Sequence, residues 1–130
     1  MILLDTHVAL WLALEPASIS RPAVSVIEVA QGEGSGIGLS CVSLYEIARV
    51  AHRGRIQLDG PVEDFLDQLS ARLSIIGLTS SIALAAARLP ADFTGDPIDR
   101  IIAATALTEG IPLVTADQNI RRSRNVKTIW

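Results

Sequence analysis

The sequence predicts an α/β fold in which a parallel-dominated sheet carries helices on both faces. Two observations carry this prediction. Short apolar runs of strand length alternate with helical patterns along the whole chain. No repeat, low-complexity tract or linker divides the 130 residues, which amount to about one domain.

Each element has a local reason. Residues 1–4 are an apolar run that stops at Asp5 and reads as a buried strand. Residues 6–14 are apolar nearly all round and read as a buried helix ended near Pro16. Ser20, followed by Arg21 and Pro22, starts a second helix whose apolar face holds Val24, Ile27, Val29 and Ala30. Alternating glycines at 32, 34, 36 and 38 mark a loop, and residues 37–41 are a second strand. Ser43 and Glu46 have capping-box spacing and predict a helix from there to about His52, closed by Gly54. Pro61 opens a helix with Phe65, Leu66 and Leu69 on one face and acids on the other. Residues 73–78 are a third strand, and Thr79 or Ser80 caps an Ala-rich helix to Leu89. Asp96 and Pro97 open a helix that Gly110 ends. Residues 111–115 form a strand, 117–122 a helical turn, and 126–130 a last strand.

Composition narrows the function classes. Hydrophobic residues at 49% and charged residues at 19% exclude a disordered chain. A mean hydropathy of +0.40 predicts a sticky surface, hence a partner or a self-association face. The longest uncharged apolar run, residues 8–14, is far short of the ~18 a membrane span needs. The start shows no basic leader, and Cys41 has no partner for a disulfide, so the expected location is the cytoplasm. A net charge of −3 advertises no broad nucleic-acid face. Two acid-free stretches are nevertheless basic: one holds Arg49, His52, Arg53 and Arg55, the other Arg121, Arg122, Arg124 and Lys127. Ten of the eleven bases are Arg, whose planar fork suits phosphate. The same runs can equally be solvated helix ends.

Five acids stand out. Asp5 ends the first strand, Glu46 starts the helix after the second, Asp96 and Asp99 flank Pro97 and Ile98, and Asp117 follows the fourth strand. Each has a capping or helix-dipole explanation taken singly. Capping predicts no common destination, however, whereas sites in open α/β sheets form outside the C-terminal strand ends. Like charges brought together there repel, and a divalent cation relieves the conflict. Carboxylate oxygens suit Mg²⁺ or Mn²⁺. Zinc is disfavoured, because Cys41, His7 and His52 show no ligand spacing. Such a site suits in-line hydrolysis of a phosphodiester, with the basic runs holding the backbone. No nucleophile elbow, Walker A or dinucleotide fingerprint is present. His7 is expected to be packed and hydrogen-bonded rather than catalytic. Trp11, Tyr45 and Trp130 are expected in the core or at an interface, since 4% aromatics gives little support to a base-stacking platform.

Four segments then resemble the motifs of PIN-domain proteins, above all VapC toxins of toxin–antitoxin pairs. They are residues 3–7 (LLDTH), 43–47 (SLYEI), 96–104 (DPIDRIIAA) and 113–117 (LVTAD). The resemblance spans essentially the whole chain. It implies a three-layer α/β sandwich forming a single domain, a Mg²⁺- or Mn²⁺-dependent endoribonuclease, a homodimer and a VapB-like antitoxin. It makes Asp5, Glu46, Asp99 and Asp117 the acidic quartet. Asp5 and Asp99 are expected to ligate metal, Asp117 directly or through water, and Glu46 to ligate or to orient the attacking water. Asp96, Thr115 and Thr6 are accessory. Arg49, Arg53, Arg121 and Arg122 are candidate RNA contacts, although Arg49 and Arg53 share the helix face of Glu46 and can instead pair with it. Two other classes compete. A phosphatase with Asp5 as nucleophile is weakened by His7, which breaks the Asp-x-Asp pattern. A non-catalytic RNA-binding or interaction module would use the acids only as caps.

Overall fold

The computed structural model describes residues 1–130. Five strands form one sheet: β1 (Ile2–Leu4), β2 (Ile37–Ser40), β3 (Ser74–Ile76), β4 (Leu113–Val114) and β5 (Thr128–Ile129). Their order is β3-β2-β1-β4-β5, and every neighbouring pair is parallel. Seven helices flank it: α1 (Thr6–Leu14), α2 (Arg21–Gly32), α3 (Cys41–His52), α4 (Val62–Arg72), α5 (Ser80–Arg88), α6 (Pro97–Glu109) and α7 (Gln118–Arg122).

Strand alternation divides the core into two layers. Ile2, Leu4, Leu39 and Val114 face α1 and α2, packing on Val8, Ala23 and Ile27. Leu3 and Leu113 point the other way, onto Ile102, Ala106 and Ile120 of α6 and α7. β1 is buried on both faces, as its unbroken apolar run requires. Gly38 in β2 has a packing reason: a Cβ there would stand 3.0 Å from the Ile76 side chain and 3.4 Å from the Ile2 carbonyl oxygen. Gly110 ends α6 at φ 65°, a left-handed conformation that favours glycine.

The expected elements are all present, with strands shorter at their ends than the apolar runs. Two expectations need correction. α3 starts at Cys41, capped by Ser40, whose hydroxyl accepts from the Val42 N–H at 3.3 Å. Ser43 is therefore inside the helix, not its cap, and Glu46 lies beyond the first turn. The spacing that suggested a capping box serves a tertiary contact instead, because the Thr6 hydroxyl donates to the Ser43 hydroxyl at 2.9 Å. Of the core and interface expectations for Tyr45, its 60% exposure leaves the interface one. Trp11 and Trp130 are half-buried and pack together at 5.6 Å. No helix is long and apolar enough to cross a membrane.

The sheet order sets the site. The chain turns from β2 on one side of β1 to β4 on the other, so β1 is the switch point. The C-terminal ends of β1 and β4 open onto one rim, where Asp5 and Asp117 follow.

Candidate active site

Asp5 is 3% exposed and held from several directions. Its backbone N–H donates to the Val114 carbonyl at 3.0 Å, which pins the exit from β1 to β4. Its carboxylate accepts from the Thr6 N–H at 2.8 Å and from the Thr115 hydroxyl at 2.7 Å. Thr115 is fully buried, and its hydroxyl also accepts the Asp117 N–H at 3.0 Å. One hydroxyl thus ties the two strand-end acids together. Asp117 in turn caps α7, accepting from the Ile120 N–H at 3.0 Å. His7 closes the ring, with Nδ1 at 3.5 Å from Asp5 Oδ2 and Nε2 accepting the Ala116 N–H at 3.0 Å. A carboxylate has about four lone-pair positions, so these contacts leave Asp5 capacity for a further ligand.

The helix-borne acids are held differently. Asp96 caps α6 by accepting from the Ile98 N–H at 2.8 Å and is exposed. Asp99 sits in the first turn, half-buried, and its one side-chain partner is the Thr94 hydroxyl at 3.5 Å. Behind it, Arg100 organises the approach to α6. Its guanidinium donates to the carbonyls of Ala86, Leu89, Pro90 and Thr94 at 2.8 to 3.3 Å and lies over the Phe93 ring. Glu46 is half-buried on α3.

Electrostatics join the two sets. The Asp99 carboxyl is pushed up from 3.8 to about 7, first by burial and then by the charges of Asp5, Asp96, Asp117 and Glu46. Asp99 therefore feels every other acid singled out in the sequence. No cation offsets them: His7 with Asp5 is the only acid–base pair within 4.0 Å in the chain. This removes one alternative, since Arg49 and Arg53 do not pair with Glu46. Both are exposed, as are Arg121 and Arg122, and Arg122 is bonded to Gln118 at 3.1 Å.

The acidic side chains at this rim offer hard oxygen donors, the kind that Mg²⁺ and Mn²⁺ take. In their present rotamers no three acidic, His or Cys side chains stand close enough to hold one ion. Two clefts, of about 450 and 460 Å³, share Leu12, Ala13 and Arg72 and include none of the site acids.

Three supporting residues escaped the sequence. Ser43 looked like a cap, and its spacing to Glu46 hid its contact with Thr6. Thr94 carried no signal in a loop of small and polar residues. Arg100 did carry one: a cation in the first turn opposes the helix dipole and so needs another purpose.

Comparison with known proteins agrees with the fold. A family model described as PIN domain matches residues 2–125. The chain is 40% identical over 131 aligned positions to Ribonuclease VapC22 of Mycobacterium tuberculosis, covering 99% of this chain and 98% of that protein. Its fold is similar to that of VapBC from Salmonella typhimurium, solved bound to DNA, with a TM-score of 0.74 at 17% identity and coverage of 98% and 97%. It is also similar to VapBC2 from Rickettsia felis, solved with a DNA fragment from their promoter, with a TM-score of 0.71 at 20% identity and the same coverage. A match running from the first strand almost to the last, through all four acidic motifs, makes this chain a member of the PIN-domain family.

Proposed function

We propose that this chain is a VapC-type toxin: a single-domain, metal-dependent endoribonuclease that hydrolyses RNA phosphodiester bonds at the acidic rim. One observation carries the reading. Asp99 is half-buried among the charges of four other acids, drawn from separate parts of the chain, with no Lys or Arg to offset them. Similarity to a ribonuclease over the full length supports it.

Asp5, Asp99 and Asp117 are the residues we assign to the metal, with Glu46 ligating or orienting water. When held there, Mg²⁺ or Mn²⁺ would supply a bound water of lowered pKa and positive charge against the phosphoryl group. The chain's own residues do the rest. Thr115 and Thr6 hold the Asp5 carboxylate, through a hydroxyl and a backbone N–H respectively. Asp96 fixes the start of α6 and adds to the negative field at Asp99. Arg49, Arg53 and Arg121 are exposed to meet the RNA backbone, with Arg122, bonded to Gln118, exposed beside Arg121. A VapB-like antitoxin, a homodimeric state and a cytoplasmic location complete the proposal. The VapBC complexes among similar folds support the first of these.

The test is cleavage of structured RNAs by the purified chain with Mg²⁺ or Mn²⁺, against EDTA and an Asp99→Ala control. Discrete fragments that need both metal and Asp99 are expected. A second reading has its own observation: Asp5, Asp96 and Asp117 do cap helices. If capping were their whole role, Mn²⁺ would not raise the melting temperature. A cluster of unneutralised carboxylates gains stability from a cation through linkage.

A further inference from the structure

His7 lies two residues past Asp5, on the first turn of α1, and neither capping nor the charge cluster explains it. Its Nε2 accepts the Ala116 N–H at 3.0 Å. A nitrogen that accepts carries no proton, so the ring hydrogen belongs on Nδ1, which faces Asp5 Oδ2 at 3.5 Å. A hydrogen on Nε2 would set two donors face to face. The ring stands edge-on to Trp11 at 4.9 Å, and Trp11 rests on Trp130. Ala116 separates Thr115 from Asp117. One imidazole therefore bridges the exit from β1, which carries Asp5, and the exit from β4, which carries Asp117.

We propose that His7 is a positioning residue: it locks the turn carrying Asp117 against the strand end carrying Asp5, and so sets the spacing between two of the acids. It is not a general base, because the lone pair such a base would use is taken by Ala116. The inference deepens the ribonuclease reading and rests on it only for the metal part of its test.

Three measurements on the full chain decide the matter. Nitrogen-15 spectra of the folded wild type should show His7 with Nε2 bare and Nδ1 protonated. Amide exchange at Ala116 should speed up about tenfold in His7→Phe, which keeps the ring shape but loses the acceptor. His7→Gln, whose carbonyl oxygen reaches about as far as Nε2, should restore most of the protection. In thermal melts, His7→Phe should need about 10 to 100 times more Mn²⁺ for half-maximal stabilisation, with Gln again recovering most of the loss. Unchanged exchange at Ala116 in His7→Phe overturns the proposal, as does a Gln variant no better than Phe. Should the wild type itself gain nothing from Mn²⁺, the metal-site reading fails, while exchange at Ala116 still decides the role of His7.

Discussion

The strand-end acids and the helix-borne acids are held by opposite means. Asp5 and Asp117 share the buried Thr115 hydroxyl, with bonds of 2.7 and 3.0 Å, and the backbone between them is braced by His7. Asp99 has one partner, at the 3.5 Å edge of hydrogen bonding, and burial among like charges raises its affinity for a proton. The first pair is built by the fold and does not need an ion to stay in place. Asp99 is left under-satisfied, and what it lacks is positive charge. A site of this kind has a fixed half and a responsive half.

The largest expected effect falls on the fixed half. Thr115→Val keeps the shape but removes the donor to Asp5 and the acceptor for the Asp117 N–H. Both losses sit in a buried or half-buried place, so chemical denaturation should show a stability loss of about 2–3 kcal/mol. A loss within error of zero would mean that the two strand ends are not held through this hydroxyl.

Asp99→Asn should do the reverse at high pH. Its folded-state value of about 7 lies above the ordinary 3.8, so between these values the native chain binds a proton that the unfolded chain does not. The stability this contributes is full below 3.8 and is lost as pH rises through about 7. With EDTA present, Asp99→Asn should therefore melt higher than wild type at alkaline pH and about equally well in acid. Mn²⁺ should close the gap by stabilising only the wild type. A variant that melts lower than wild type at every pH would show that Asp99 is held by contacts rather than opposed by charge.

A double-mutant cycle compares the halves directly. Thr115→Val combined with Asp5→Asn should show a coupling of about 1 kcal/mol or more, as for groups in one hydrogen-bond network. Thr94→Val combined with Asp99→Asn should be additive within about 0.5 kcal/mol. Equal couplings would erase the distinction.

The same contrast explains what could be read from the sequence. Asp5 and Asp117 were legible because an apolar run that ends at an acid places that acid on a strand end, and strand ends share a rim. Asp99 could be preferred to Asp96 only by resemblance. Both lie in the first turn or cap of one helix, and nothing in their spacing says that one is half-buried and the other exposed. The helix of Glu46 is legible but its turn is not, because α3 begins at Cys41 rather than after Ser43. The local spacing points to Ser43 as the cap, whereas the fold uses Ser40. The Ser43 hydroxyl instead accepts from the Thr6 hydroxyl, 37 residues away. Contacts between distant hydroxyls leave no period and no local signature, so the supports of a site are harder to read than its acids.

The smallest effect is expected at Thr94, and it probes the responsive half alone. Its hydroxyl touches Asp99 at 3.5 Å and accepts the Asp96 N–H at 3.3 Å, both long bonds near the surface. Water can replace each of them, so Thr94→Val should cost less than about 1 kcal/mol in denaturation. The loop should keep its path, because Arg100 holds the Pro90 and Thr94 carbonyls without using the Thr94 side chain. What should change is the ease with which Asp99 adapts. Losing a donor to its carboxylate removes one of the few contacts that favour the charged form. The acid-to-alkaline stability slope measured in EDTA should then steepen slightly or stay as it is. A flatter slope, or a loss as large as that of Thr115→Val, would mean that Thr94 fixes Asp99 as firmly as Thr115 fixes Asp5.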